Sequence, residues 1–485
     1  MTRINITDNR KEEIPKNWSI TELGALLVQI TNGLTTKQSK EPPGIPVTRI
    51  ETISYGTVDL SRVRYITDID EDKKEKFLLR RGDILFSHIN SDFHLGKTAI
   101  VTTNRPLLHG MNLLLLRTDH SCLDSYYLHY LCNYYRFAGK FVEIAQHAVN
   151  QSSLNQKKIK SLNIPLAPLN EQKRIVAEIE KQFSRLDEAV DNLKRVKANL
   201  HRYKASVLKA AVEGRLTEEW MAAHPDVEPA EKLLERILAE RRKKWEEAEL
   251  AKMKKAGKEP KDGKWKKKYK EPEMADQIDM EMPDGWVSAT VKQLAERVQY
   301  GSSSKTNEDS VGIPLLRMGN IFEGKLLLDK LKYLPESHDE FPELLLEPDD
   351  LLFNRTNSPE LVGKTAVYKG NPSPCSFASY LIRARFINGV DPNFISYFIN
   401  SNYGRKWIKS VVSQQVGQAN VNGTKLQALS VPLPPYIEQC RIVSNVENKF
   451  SIIDGIEKEV DRNLIRADRL RQSILKKAFS GKLLV

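Results

Sequence analysis

The chain is written twice over. Ile14-Pro15-Lys16-Asn17-Trp18 returns 268 positions later as Met282-Pro283-Asp284-Gly285-Trp286. Gly44-Ile45-Pro46-Val47-Thr48-Arg49-Ile50 returns at the same offset as Gly312-Ile313-Pro314-Leu315-Leu316-Arg317-Met318. One residue is then lost, and everything downstream reads at an offset of 267: Gly96-Lys97-Thr98-Ala99 against Gly363-Lys364-Thr365-Ala366, and Ile164–Val176 against Val431–Val443. Such a register predicts two copies of one fold, each a globular unit that runs into a long helix. Two related but unequal units suit a partner that offers two related but unequal sites.

At 485 residues the chain exceeds a single core and suits two to four domains. A formal charge of +12 favours an anionic partner, nucleic acid or membrane surface, although a merely basic soluble protein has the same balance. Cys122, Cys132, Cys375 and Cys440 form no close pair, so neither a disulfide framework nor a zinc ribbon is indicated. The start, Met1 to Trp18, is polar without a secretory core, and no apolar run reaches membrane-spanning length. The expectation is a cytoplasmic protein with no membrane partner.

Short apolar runs broken by Gly, Pro and Asn predict strands at Ala25–Ile30, Val47–Ile53, Gly82–Phe86, Thr98–Val101 and Met111–Arg117. Helical spacing follows over Tyr126–Ala145, and over Pro392–Val412 in the second copy. The class is mixed α/β. In the first long helix Ile175, Ile179, Phe183, Leu186, Val190, Leu193, Val196, Leu200, Tyr203 and Val207 recur at steps of three and four. In the second, Ile442, Val446, Phe450, Ile453, Val460, Leu470 and Ile474 do the same. Gly214 and Gly481 close both helices at the same register, as a residue able to take positive φ should. About forty residues make a rod of roughly 60 Å. Its apolar stripe must pack on something, and its own repeat is the nearest candidate. With the two globular units related by a pseudo-twofold axis, the rods would lie antiparallel. The expected domains are 1–169, 170–216 (first spacer helix), 217–281 (insert), 282–436 and 437–485 (second spacer helix).

The insert is not repeated. Pro229–Lys255 reads as helix; the following stretch is rich in lysine, Lys252 to Lys270, with Trp265 and Tyr269 interleaved. It suits either a phosphate-tracking segment with aromatic contacts or a flexible, solvated linker.

Motifs for catalysis fail on inspection. Gly96-Lys97-Thr98 and Gly363-Lys364-Thr365 lack the glycine a phosphate loop needs five places earlier, where Ser91 and Ser358 stand. Each reads better as a turn entering a strand. Leu433-Pro434-Pro435-Tyr436 has the outline of an adenine methyltransferase signature, but leucine cannot accept from the target amine. The histidines have no metal-ligand spacing, and Asp83 and Asp350 lack the E-x-K triplet of a nuclease. No catalytic residue, metal or cofactor is expected on this chain.

The Ile-Pro-Leu-x-Pro-Leu-x-Glu-Gln-x-x-Ile-Val start of the first long helix, its echo at Val431–Val443, and the Leu-Lys-x-Ala-x-x-Gly-Arg/Lys-Leu endings at Leu208–Leu216 and Leu475–Leu483 resemble the specificity subunit of type I restriction-modification systems. The Pro-x-x-Trp openings and Gly-Ile-Pro-x-x-Arg strands also fit that family, and the resemblance covers nearly the whole chain. It implies two target recognition domains, each reading one half of a split double-stranded DNA sequence, with an antiparallel coiled coil as ruler between them. It implies two docked modification (methyltransferase) subunits, and restriction subunits for translocation and cleavage. S-adenosylmethionine, ATP and Mg belong to those partners, in a bacterial or archaeal cytoplasm. Stripe residues Ile179, Phe183, Leu186, Val190, Leu193, Leu200, Val446, Phe450, Ile453, Val460, Leu470 and Ile474 would form the coil and its docking face.

Base readout needs amide, hydroxyl and guanidinium groups on exposed loops, with lysines on phosphates. Three loops recur. The first, Thr35 to Lys40, offers Thr36, Lys37, Gln38 and Lys40, and is matched by Ser302 to Asn307 with Ser303, Ser304, Lys305 and Asn307. The second offers His88, Asn90 and Ser91, matched by Arg355 and Asn357. The third offers Gln146, Asn150 and Gln151 followed by Lys157, matched by Gln414, Gln415, Gln418 and Asn420 followed by Lys425. Simple turn chemistry is the competing explanation for each. A rival of another class is a coiled-coil connector with two protein-binding heads.

Overall fold

A computed structural model describes residues 14–53, 56–149, 151–257, 260, 262–415 and 417–484. The polar start before Ile14, Asn150, and Lys258, Glu259 and Lys261 of the insert lie outside these. The chain divides into two compact units: residues up to Arg195 with those from Glu459 onward, and Val196–Lys458. This is not the division of the repeat. Each unit takes a globular head and the start of a long helix from one copy, and the end of the long helix from the other.

In the first unit a four-stranded antiparallel sheet has the order Leu27–Asn32, Leu114–Thr118, Ile84–Phe86, Thr98–Ile100. Ile84–Phe86 and Thr98–Ile100 are wholly buried, which suits the unbroken apolar composition of the first; in the second the Thr98 hydroxyl is satisfied by His129 Nδ1 at 2.9 Å. Asp124 caps the helix Ser125–Phe137 that packs on this sheet. A two-stranded ladder, Ser19–Glu22 with Asn163–Leu166, leads into the long helix. The second unit has the same plan: Ala295–Tyr300, Leu381–Phe386, Leu351–Asn354, Thr365–Val367 in one sheet, and Val287–Thr290 paired with Ser430–Leu433. The class is mixed α/β, built twice.

Several expectations need correction in detail. Leu23–Leu26 and Ile50–Ile53 are 3-10 turns, so the strands beside them are Leu27–Asn32 and Ile45–Val47. The helix expected over Tyr126–Ala145 breaks at Gly139, whose φ is 77°, before a short turn at Lys140–Glu143. Its partner is two helices, Pro392–Asn400 and Asn402–Val411, parted at the extended Ser401. The offset is not 267 throughout. Ile84 pairs with Leu116 and Leu351 with Ala384, so Ile84 matches at 267 but the strand Leu114–Thr118 matches at 268, the extra residue being taken up in the loop before it. Loop 1 also matches at 268: Ser39 bridges Tyr65 as Asn307 bridges Tyr333, which sets Thr35 against Ser303.

With the register corrected, Arg117 and Arg385 are equivalent positions of the two copies. Each grips an acid through two parallel bonds: Arg117 donates to Asp83 at 2.7 and 2.7 Å, and Arg385 to Asp350 at 2.7 and 2.8 Å. Those acids are structural.

The long helices are Leu169–Val212 and Tyr436–Phe479, 44 residues each. In the second unit Lys204 reaches Glu457 at 2.6 Å, while Asn445 donates to the Leu216 carbonyl, so the helices there run antiparallel. Lys204 also lies 3.2 Å from Asp454. In the first unit the repeat-equivalent pair, Arg471 with Asp187, is made with the helices' roles exchanged. Ile179, Leu186, Val446, Ile453, Val460 and Ile474 are buried, and Val190, Leu193 and Leu200 half-buried. Leu470 is about half exposed, because the buried line on its helix runs through Val460, Ala467 and Ile474. Phe183 and Phe450 turn to their heads, edge-on to Tyr130 and Tyr397.

The family-like motifs at the helix starts are clasps. Glu171 accepts from the Trp18 indole at 2.9 Å and from Asn17 at 2.8 Å; Glu438 accepts from Trp286 at 2.8 Å and Thr217 at 2.7 Å. Burial raises the Glu438 pKa against the pull of those two bonds. The glutamine after each is fully used: Gln172 holds the Asp124 amide and the Cys122 and Ala167 carbonyls, and Gln439 holds Asp391, Gly389 and Pro434. Hydrogen bonds to a charged group are worth about 1.5–3 kcal/mol each. The other copy's helix end closes the head from outside. Ile474, Leu475, Ala478 and Phe479 join the first core with Trp18; Val207, Ala211 and Val212 join the second with Trp286. Gly481 (φ 72°) lies so near Pro15 that a Cβ would stand 2.1 Å from its ring, and Gly214 (φ 71°) meets Pro283 at 2.5 Å.

Candidate nucleic-acid interface

Strand pairing joins loops 2 and 3 in both heads. In the first, Ile89–Asn90, Gln151–Ser153 and Gln146–Ala148 form one three-stranded sheet; in the second, Thr356–Asn357, Gln418–Asn420 and Ser413–Gln415 form its counterpart. Loop 1 is held by a different ladder, through Ser39 and Asn307.

In the first head an open concavity of about 490 Å³ is lined by Ile50, Ile89, Asn90, Ser91, Asn112, Val149 and Gln151. Ser91, Gln146, Gln151 and Lys157 are exposed, and Val149 at the hairpin tip is 92% exposed. Asn90 is occupied locally: it donates to Ser87 Oγ and accepts from the Ser91 amide. His88 does not face solvent. Its ring is buried, and desolvation pushes its pKa down to about 4. The side chain of residue 88 turns into the head because Ile84–Phe86 immediately before it is core. Ser152, His147 and Asp92 also meet, but the serine sits between the other two, so the cluster locks the hairpin rather than activating a nucleophile.

In the second head Arg355 is half-buried. Its guanidinium lies 4.8 Å over the Tyr300 ring and donates to the Ser379 carbonyl. Asn357 accepts from Ser358 as Asn90 does from Ser91. Gln418 is exposed, and Asn420 donates to Thr356. Of Gln414 and Gln415 the strand is described, not the side chains. Lys425 donates to the Val411 carbonyl at 2.6 Å and to Ser413. Its equivalent is Lys158, which donates to the Ile144 carbonyl at 2.6 Å. Both lysines tie down the chain end before the hairpin.

In loop 1, Lys37, Lys40, Ser303 and Lys305 are exposed and Thr36 half-buried. Gln38 accepts from Arg49, while its amide nitrogen is buried without a partner among the described residues. Ser304 bonds His338, and the Asn307 carbonyl oxygen is likewise buried and unpaired.

Asn112 and Tyr300 escape sequence reasoning. Asn112 enters the concavity from a distant loop, and its only local signal is a residue type that tolerates its φ of 67°. Tyr300 carries no signal beyond an aromatic at a strand end. In the insert, Trp265 and Tyr269 pack against Trp245, with ring centroids 6.2 and 5.3 Å away. The linker alternative therefore fails for the described part of this segment, and its aromatic rings are engaged within the insert.

The family model for the type I restriction modification DNA specificity domain matches this chain twice, over residues 15–201 and 283–462. The chain is 26% identical to the EcoKI specificity subunit of Escherichia coli K12 over 97% of its own length and 90% of that protein's. It is 41% identical to the putative MjaX specificity subunit of Methanocaldococcus jannaschii, over 43% of this chain and about half, 52%, of that one. Among solved structures, a chain from work on complex assembly and conformational transition of the type I R-M system aligns over 97% of this chain and all of its own, with a TM-score of 0.65 at 16% identity. The HsdS subunit from Thermoanaerobacter tengcongensis aligns over 97% of this chain and 98% of its own, with a TM-score of 0.52 at 16% identity. Those two likenesses speak to fold, and fold agrees with the doubled frame. With the family model matched over both copies, the chain belongs to the family of type I restriction-modification specificity subunits.

Proposed function

We propose that each head reads one half of a split DNA target, while methylation and cleavage are performed by other subunits that dock on this chain. One observation carries the reading. The same joined-loop sheet is built twice on the same frame, with Asn90 and Gln151 repeated as Asn357 and Gln418, yet the other positions carry different side chains, among them Ile89, Gln146, His147 and Ser153 against Thr356, Ser413, Gln414 and Asn420.

The loop groups have the right chemistry, exposed in the first head and half-buried at Arg355 in the second. In the first head Ser91, Asn112 and Gln151 supply hydroxyl and amide groups, suited to adenine edges; in the second Arg355, set on Tyr300, suits guanine O6 and N7. Lys37, Lys40, Lys157 and Lys305, all exposed, suit phosphates and would fix register. Thr36, Gln38, Gln146, Ser303, Ser304, Asn307, Asn357, Gln414, Gln415, Gln418 and Asn420 remain candidates of the second rank, several already engaged within the protein. His88 and Lys425 act indirectly, by setting the loops. The helices leave Ile452 and Ile456 exposed in the second unit, and Ile465 and Leu470 in the first. Apolar helix faces of this kind suit two modification subunits, which would bring S-adenosylmethionine; restriction subunits would bring ATP and Mg.

The test is methylation mapping in cells expressing this chain with the methyltransferase of its own system. A motif of two short specific parts around a fixed unspecified spacer is expected. A continuous motif would contradict the reading.

A further inference from the structure

Among the described residues the helix of the insert packs on the second head. Leu233 and Ile237 are buried in its core, and Leu233 reaches within 2.8 Å of where a Cβ on Gly389 would stand. Further along the same helix, Ala230–Lys255, Arg241 donates to the Lys292 carbonyl at 2.9 Å and Lys244 to Glu296 at 2.6 Å. The contacts thus advance with the helix from Gly389, near the Gln439 clasp, to Glu296. Glu296 stands at the start of the strand Ala295–Tyr300, whose far end is the tyrosine beneath Arg355. Helix and strand therefore head for the same end of the head.

What the helix carries there is a folded basic knob. Trp245 stacks with Trp265, Tyr269 packs beside it, and Lys266 pairs with Glu246 at 2.7 Å. Asp262 caps the turn Gly263–Lys268. Lys254, Lys255, Lys267 and Lys268 are exposed, and no carboxylate among the described residues pairs with them. A solvated linker needs no aromatic core; a cation platform held in place gains from one, because less side-chain and backbone freedom is lost when it meets its ligand. The matching surface of the first unit is unlike it: Glu296 is there replaced by Val28, 63% exposed.

We propose that this tryptophan-pinned lysine face binds the phosphate backbone of duplex DNA beside the half-site read by the second head, giving one side of the target an extra, sequence-independent grip. The proposal rests on the reading of the heads as DNA readers. The repeating, closely spaced negative charge of a duplex backbone is the ligand that four exposed ammonium groups fit best.

The test replaces Lys254, Lys255, Lys267 and Lys268 with glutamine in the full chain. Binding is measured from 50 to 200 mM salt on two duplexes, one carrying the mapped target and one with both half-sites scrambled. The expected result is an equal fold-loss on both duplexes, and a log–log salt slope shallower by about 0.9 for each lysine that meets a phosphate. An unchanged slope overturns the proposal. So does unaltered DNA binding with failed assembly of the methyltransferase subunits, which would assign the face to an acidic protein. If the unaltered chain binds both duplexes equally, the sequence-reading proposal fails instead, and the change in slope still decides the lysine face.

Discussion

Where the first unit sets Trp18 against Glu171 and Asp83 against Arg117, the second sets Trp286 against Glu438 and Asp350 against Arg385. Ser91 and Gln151 recur as Ser358 and Gln418, but where the first has His88 turned inward and Asn112 at an open concavity, the second has Arg355 stacked on Tyr300, has Tyr380 in place of Asn112, and adds the insert. The frame groups that repeat are buried and multiply bonded, so altering one strands its partner in a low-dielectric interior. The groups that differ stand on loop surfaces, where an exchange costs the fold little. A duplicated reader can therefore acquire two specificities without acquiring two folds.

If the frames are equivalent, Trp18→Ala and Trp286→Ala should destabilise their own units alike, by about 3–5 kcal/mol. Both indoles are buried to nearly the same degree, 6% and 7% exposed. Hydrogen exchange resolved by unit is the measurement, and a difference between the two losses beyond about 1 kcal/mol would break the equivalence.

Acid should sharpen the contrast. Burial pushes His88, His109 and His129 down to about 4, all in the first head. The equivalent positions hold Arg355, Phe377 and Ser396. A histidine with a lowered folded pKa takes up its proton on unfolding, so its destabilising effect is absent above 6.5 and grows as pH falls toward 4. The cost reaches at most about 3 kcal/mol for a fully buried ring. The first unit should therefore lose stability over that window, and the double change His109→Phe with His129→Ser should remove much of the loss. Circular dichroism melts from pH 7 to 4 decide it; an unchanged acid profile in the variant would remove the histidines from the account.

Smaller effects follow at the reading surface and the helix pair. Arg355→Ala should weaken discrimination at the second half-site alone, by roughly 1–3 kcal/mol if the contact is to a base. A uniform loss on all sequences would make it a phosphate contact. Lys204→Met and Arg471→Met break the repeated cross-helix pair and should cost about 1 kcal/mol or less each. Thermal unfolding measures that, and losses of several kcal/mol would give those pairs a larger role.

Much of the frame was legible because it is local or periodic. Gly214 and Gly481 announced helix ends, Gly96 and Gly363 announced turns into strands, and the stripe from Ile175 to Val207 announced an amphipathic helix. The exchange of helix ends between copies was not legible. Gly481 meeting Pro15 is a contact across almost the whole chain, and no local pattern says which head a tail will close. The site was half legible for a related reason. Exposed polar loops look alike in sequence whether a side chain faces solvent, as Gln151 does, turns inward, as His88 does, or ties down a carbonyl, as Lys425 does. Only the partner decides, and the partners of Arg355 and Lys425 come from other segments.

The central claim is that specificity is divided between two separable heads on one shared frame. Replacing residues 14–168 with the same region of another family member, then mapping methylation in cells that supply the methyltransferase, tests it most directly. One half of the recognised motif should be replaced while the other half and the spacer persist. A motif changed in both halves at once would contradict the account.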